Sequence, residues 1–160
     1  MAAKVIRILV VLAWTTTALT MPTADGQARA EARHPAIAAG VPFFYYQDLA
    51  GAADWYERKL GLERTTDKDW VIIFRLTPTS YIGLVNATDG TLHPTAEKGA
   101  MLSIESPALE AWYQRLSATK GVEMVSGIET GAKGMIDKFV VRDPGGYLVE
   151  FFRWKIAPGQ

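Results

Sequence analysis

The hydrophobic pattern changes period several times along the chain, and from Val41 onward it predicts strands interleaved with two helices. The first helix is predicted over Leu49–Leu60, because apolar residues recur there at the spacing of one helix face. Asp48 stands at its N-cap position, and Gly61 stands where a left-handed residue ends a helix. A second helix is predicted over Ala108–Leu116.

Runs of β-forming residues flank both helices, and turn-forming residues separate them. The order is βαβββ twice, in modules at about residues 41–86 and 100–154. A local echo supports a duplication, because Trp55-Tyr56-Glu57-Arg58 recurs as Trp112-Tyr113-Gln114-Arg115. The predicted strands are Val41–Gln47, Leu62–Thr66, Trp70–Leu76, Ser80–Asn86, Ala100–Glu105, Val122–Val125, Met135–Arg142 and Tyr147–Trp154.

The first 26 residues have the layout of a secretory signal peptide: basic residues, then an apolar run over 8–19, then small residues. The apolar run is shorter than a transmembrane helix requires, so no stable membrane span is expected after cleavage. Cleavage is placed after Ala24 or after Ala30. Residues 27–40 are predicted to be a linker, and the mature protein is expected to be periplasmic or extracellular.

The amino-acid composition limits the kinds of binding and catalytic site that the chain can form. The 160 residues carry 17 Lys and Arg against 17 Asp and Glu, so no basic surface for nucleic acid is expected. The absence of cysteine excludes thiolate metal sites and thiol nucleophiles. Histidine, the commonest metal ligand, occurs only as His34 and His93. His93 lies in the predicted loop between the modules and is interpreted as an exposed loop residue rather than a base.

Two motifs resemble those of the vicinal-oxygen-chelate superfamily, which includes glyoxalase-type lyases, extradiol dioxygenases and bleomycin- or fosfomycin-resistance proteins. A strand ending in Tyr45-Tyr46-Gln47-Asp48-Leu49, before a helix ending in Leu60-Gly61-Leu62, resembles the first module. Residues 142–150 (RDPGGYLVE) resemble the closing hairpin of the second. The resemblance implies an α+β fold in which tandem βαβββ modules form a curved mixed-sheet cup, a glyoxalase-like domain over residues 41–156.

In metal-using relatives, cup-facing positions of the two modules bind a divalent ion that polarises the substrate. Carried over by position, these ligands fall near Val41, Leu84, Met101 and Glu150. Only Glu150 can coordinate a hard cation well, and one carboxylate does not make a metal site. The resemblance therefore implies a divergent member without a complete metal site. It also implies a homodimer, because cups in this family are often completed across two chains.

Alternation along the strands predicts the lining of the cup. If Phe44 and Tyr46 pack under the helix, their neighbours face the cup, and Ile82 and Leu84 are expected there as well. The lining is then largely apolar and aromatic, which suits a small organic ligand. The candidate ligand-binding residues are Phe43, Tyr45, Gln47, Asn86, Ser103, Glu105, Glu150, Phe152 and Trp154.

Glu150 is the candidate for chemistry: a metal ligand, a general base or an anchor for a cationic ligand. Alternatively, it is a relic that bonds Tyr45 or pairs with Arg75 or Arg142. Three functions are compatible with these features of the sequence. The favoured one is metal-independent binding of a small aromatic or amphiphilic compound. The second is a divalent-metal-dependent lyase, isomerase or dioxygenase, and the third is an interaction module whose cup is filled by its own aromatic residues.

Overall fold

A computed structural model describes residues 37–156 of the chain. The predicted signal peptide, most of the linker and His34 lie outside this range. The first module forms a four-stranded sheet in the order β1-β4-β3-β2, where β1 runs parallel to β4 and the other pairs are antiparallel. Its strands are β1 Phe43–Tyr46, β2 Glu63–Asp67, β3 Val71–Thr77 and β4 Ser80–Asn86.

The second module repeats this design with an additional strand. Its main path is β5-β9-β8-β6, again with the first and last strands of the module in parallel, and β7 pairs with β8 off that path. The strands are β5 Met101–Glu105, β6 Glu123–Met124, β7 Glu129–Gly131, β8 Ile136–Arg142 and β9 Leu148–Trp154. The segment before β8 forms β7 and a short 3-10 turn at Ala132–Gly134.

Each module places one helix on its sheet. The first helix, α1, spans Leu49–Trp55 and then widens into a π-helical turn over Tyr56–Leu60, whereas one regular helix was predicted over the whole stretch. Its start is capped by Asp48, which accepts a hydrogen bond from the Gly51 N–H at 2.9 Å. Gly61 ends it with φ 74°, a left-handed conformation that costs a residue with a Cβ atom more than it costs glycine. The second helix, α2, spans Leu109–Ser117.

One continuous apolar core joins the two modules. It contains the residues that point from both sheets toward the helices, among them Phe44, Phe74, Phe139 and Phe151. We call this side of each sheet the helix face and the opposite side the cup face. The ring of Tyr147 stacks on Phe44 with centroids 4.4 Å apart, so the closing hairpin of the second module packs directly against β1 of the first.

A buried carboxylate reinforces the same joint. Asp143 is 4% exposed, and its Oδ2 accepts hydrogen bonds from the hydroxyls of Tyr46 at 2.6 Å and Tyr56 at 3.0 Å. Its Oδ1 accepts from the Tyr147 N–H at 2.8 Å. Burial raises the pKa of this carboxyl, although the hydrogen bonds from Tyr46, the Tyr147 backbone and Tyr56 oppose that change.

No helix within residues 37–156 has both the length and the apolar character needed to cross a membrane.

Candidate functional site

Glu150 lies at the centre of the cup face of the second sheet. On β9 it pairs with Ser103 of β5 on one side and with Val140 of β8 on the other. Residues that face each other in paired strands point to the same side of a sheet, so all three share the cup face. Although this face is opposite the core, Glu150 is only 8% exposed.

Two polar groups hold the Glu150 carboxylate. The Ser103 hydroxyl donates a hydrogen bond to Oε1 at 2.9 Å, and the ammonium of Lys138 lies 3.8 Å from Oε2. Lys138 also pairs with Glu129 of β7 at 3.1 Å, so one cation is shared by two carboxylates. The partners suggested by the sequence, Tyr45, Arg75 and Arg142, are not the ones that the structure pairs with Glu150.

Aromatic side chains continue this face toward the end of β9. Phe152 and Trp154 are half-buried, and their rings meet edge to face with centroids 5.3 Å apart. Met101, at the start of β5, is 48% exposed on the same face, but it pairs with Leu148 at the other end of β9. The second sheet thus presents a polar centre of Glu150, Ser103 and Lys138 with apolar surface around it.

The first sheet differs from the prediction in which residues face the cup. Parallel pairing sets Phe44 opposite Leu84, and Phe44 belongs to the core, so Leu84 and Ile82 point to the helix face. The expectation that they line the cup was therefore wrong. Asn86 pairs with Tyr46 and is also removed from the cup face, and its side-chain oxygen accepts hydrogen bonds from Thr88.

The residue of the first module that corresponds to Glu150 is Gly83 rather than Leu84. Gly83 pairs with Phe43 on β1, as Glu150 pairs with Ser103 on β5. A Cβ atom on Gly83 would lie 2.4 Å from the Phe43 ring, so this ring covers the position where the first module could supply a second ligand. The expected ligand position near Leu84 is therefore one residue away from the structural correspondence.

The remaining predicted residues are dispersed. Tyr45 lies on the cup face of the first sheet, but the loop after β4 packs on its ring at Gly90. Gln47 follows β1 and lines an open polar depression with Asn86, away from Glu150. Glu105 ends β5 on the cup-face side and is exposed, as is His93 in the loop between the modules.

The residues around Glu150 do not fit a divalent metal site. Within residues 37–156 no group of three or more His, Asp or Glu side chains is placed to hold an ion. The nearest charged neighbour of Glu150 is an ammonium, which repels a cation, and Ser103 is a weak ligand.

Lys138 is not among the predicted site residues, although strand alternation over Ile136–Arg142 places it on the same face as Val140. Asp143 was expected only as part of the closing hairpin. No local signal links Asp143 to Tyr46, because the two residues are 97 positions apart.

Two βαβββ modules with a carboxylate on the cup face of the closing strand define a glyoxalase-like protein. The family model of the Glyoxalase/Bleomycin resistance protein/Dioxygenase superfamily matches residues 34–151 of the sequence, and the chain belongs to this superfamily. No curated protein sequence matches the chain significantly.

Solved structures of the same fold extend over most of the chain. A glyoxalase/bleomycin resistance protein/dioxygenase from Nocardioides is 19% identical, with a TM-score of 0.63 over 85% of this chain and 97% of that one. Lactoylglutathione lyase from Agrobacterium tumefaciens is 17% identical, with a TM-score of 0.58 over 75% and 96% of the two chains. TioX from Micromonospora sp. ML1 is 19% identical, with a TM-score of 0.56 over 72% and 98%. At these identities the likeness concerns the fold alone.

Proposed function

We propose that this protein is an exported small-molecule-binding member of the superfamily that works without a complete metal site. The observation that carries the proposal is the pairing of Glu150, whose carboxylate is held by Ser103 and Lys138. A carboxylate that accepts a hydrogen bond from a hydroxyl and lies near a shared ammonium is suited to organic hydrogen-bonding groups.

The proposed ligand is a small aromatic or amphiphilic compound. Phe152, Trp154 and Met101 offer apolar area, while Ser103, Lys138 and Glu150 offer a compact set of donors and acceptors. Such a combination binds a ligand through buried area and orients it through a few polar contacts. Lys138 can shift toward Glu129, with which it already pairs, when a ligand takes its place at Glu150.

A second copy of the chain would complete the cup. Phe43 is 47% exposed and Met101 is 48% exposed, each on the cup face of its own sheet. Apolar residues exposed together on a sheet face are stabilised when another surface covers them. We infer a homodimer in which the two cup faces are covered, and sedimentation of the purified protein would measure this association.

Export is inferred from the pattern of the first 26 residues, which lie outside the described structure. N-terminal sequencing of the protein recovered from the cell envelope fraction or the medium tests it. A mature chain that begins after Ala24 or Ala30 supports export, and a full-length chain confined to the cytoplasm contradicts it.

A divalent-metal-dependent lyase, isomerase or dioxygenase is the second candidate. It is favoured by the position of Glu150, a buried carboxylate on the central closing strand of the cup face. In this case the missing ligands would come from a second chain or from residues outside the described range.

Elemental analysis and thermal unfolding of the mature protein separate the two candidates. We expect no stoichiometric metal and no change in Tm with Ni²⁺, Zn²⁺, Fe²⁺ or Mn²⁺, because bound ions would raise Tm by mass action. Near-stoichiometric metal that is lost in Glu150→Gln and kept in Glu129→Gln would overturn the metal-free proposal. Glu129→Gln is the matched control, because it also removes a carboxylate from Lys138.

A further inference from the structure

A cleft between the two modules opens at the edge of the second sheet, and Ser103 is the one residue of the polar centre that also lines it. Its volume is about 440 Å³, within the range of small-molecule sites. The first module supplies the end of its helix and the β3–β4 turn, and the second supplies β5 and α2. It is lined by Leu60, Leu62, Leu76, Thr77, Ser80, Ser103, Ile104, Glu105, Pro107, Trp112 and Phe151.

The floor and one wall of this cleft are apolar and preformed. Leu60 and Phe151 are buried in the core, and the half-buried ring of Trp112 lies against Phe151 with centroids 4.9 Å apart. Leu76 closes the other side from β3, where it packs on the helix-face core. A rigid wall of aromatic and leucine side chains favours a flat apolar group, because little side-chain entropy is lost when it binds.

One charged residue lines the cleft, and it is acidic. Glu105 stands at the rim, and no ion pair to it occurs within residues 37–156. Arg115 is close by but does not line the cleft; its guanidinium stacks 5.2 Å from the Trp112 ring centroid and donates to the Lys59 carbonyl. The rim charge is therefore complementary to a cation.

We propose that this cleft is a second ligand site that binds a small aromatic or aliphatic amine in its protonated form. The apolar part lies between Trp112 and Leu76, and the ammonium lies at Glu105. Glu105 is exposed, so the charge adds a modest preference while the apolar walls supply most of the affinity. The site is formed within one chain and does not depend on the proposed function of the cup.

Three probes of matched size test the site by isothermal titration calorimetry with the full chain: 2-(aminomethyl)naphthalene, 2-naphthalenemethanol and 2-naphthoate. We expect the cation to bind roughly two- to fivefold more tightly than the neutral alcohol, the gain of one exposed ion pair, and the anion to bind most weakly. Equal affinities for cation and anion, or no binding of any probe at millimolar concentration, would overturn the proposal.

Two variants locate the binding. Leu76→Phe fills the cleft from the helix face and leaves the cup face unchanged, so it should weaken binding of all three probes at least tenfold. Glu105→Gln should remove only the preference for the cation, whereas Glu110→Gln, an exposed carboxylate on α2 that pairs with Arg153, should leave it intact. Circular dichroism verifies that each variant is folded. Binding that is unchanged in Leu76→Phe, or a cation preference that survives in Glu105→Gln, would contradict the assignment.

Discussion

Removing the hydroxyl of Tyr46 tests how the two modules are held together. In Tyr46→Phe the buried ring stays, but the 2.6 Å hydrogen bond to the Asp143 carboxylate is lost. Hydrogen bonds to charged groups contribute about 1.5–3 kcal/mol. Tyr56 still donates a hydrogen bond to the same oxygen at 3.0 Å, which limits the loss of stability. We therefore expect the free energy of unfolding to fall by about 2 kcal/mol at neutral pH.

The loss should depend on pH in a defined direction. Burial raises the pKa of Asp143 in the folded state above its unfolded value, so the folded protein binds more protons in the window between the two values. Stability from this group is therefore lost as pH rises through the folded pKa. Removing a donor destabilises the ionised form most and raises the folded pKa further. The cost of Tyr46→Phe should be larger at neutral pH than at about pH 4, close to the ordinary pKa of 3.8 for an aspartyl carboxyl.

Urea denaturation followed by circular dichroism measures both quantities. Tyr113→Phe is the matched control, because its half-buried ring packs on Phe139 and its hydroxyl makes no side-chain hydrogen bond within the described residues. It should change stability by less than about 0.5 kcal/mol. An equal loss for Tyr46→Phe at both pH values, or a loss no larger than that of the control, would refute the role given to Asp143. Asp143→Asn should flatten the pH dependence of the wild type.

Three further changes test the local structure by the same denaturation assay. Gly61→Ala should cost about 1–2 kcal/mol, because φ 74° is unfavourable for alanine, and a neutral result would contradict the left-handed helix end. Asp48→Ala should cost about 1 kcal/mol through loss of the cap to Gly51; no change would show the cap to be dispensable. Phe139→Ala should cost about 3–5 kcal/mol, since its ring is fully buried and stacks on Phe151, and a loss below 1 kcal/mol would contradict its core position.

The predicted fold class is confirmed by the structure and by the superfamily match. It could be predicted because each signal is local. The period of apolar residues separates strands from helices, and caps such as Asp48 and Gly61 depend on their immediate neighbours. The π-helical turn at Tyr56–Leu60 was missed, because its apolar positions also satisfy a regular helix at that length.

The sequence could not determine which residues of β4 face the core. Alternation implies that neighbouring side chains point to opposite faces, but strand pairing decides which set of side chains points to the core. Phe44 pairs in parallel with Leu84, so the residues of β4 that face the cup are shifted by one from the predicted ones. Gly83, which the Phe43 ring covers, therefore lies at the position that matches Glu150.

The environment of the candidate site was likewise decided by tertiary structure. Glu150 could be selected from the sequence, because burying a carboxylate among apolar strand residues is costly unless the charge has a partner. The groups around Glu150 could not be predicted, since Ser103, Lys138 and Glu129 come from three different strands. The chain alone therefore determined the elements and their order, while the pairing of distant strands decided which side chains share a face, because contact between residues far apart in sequence leaves no local pattern.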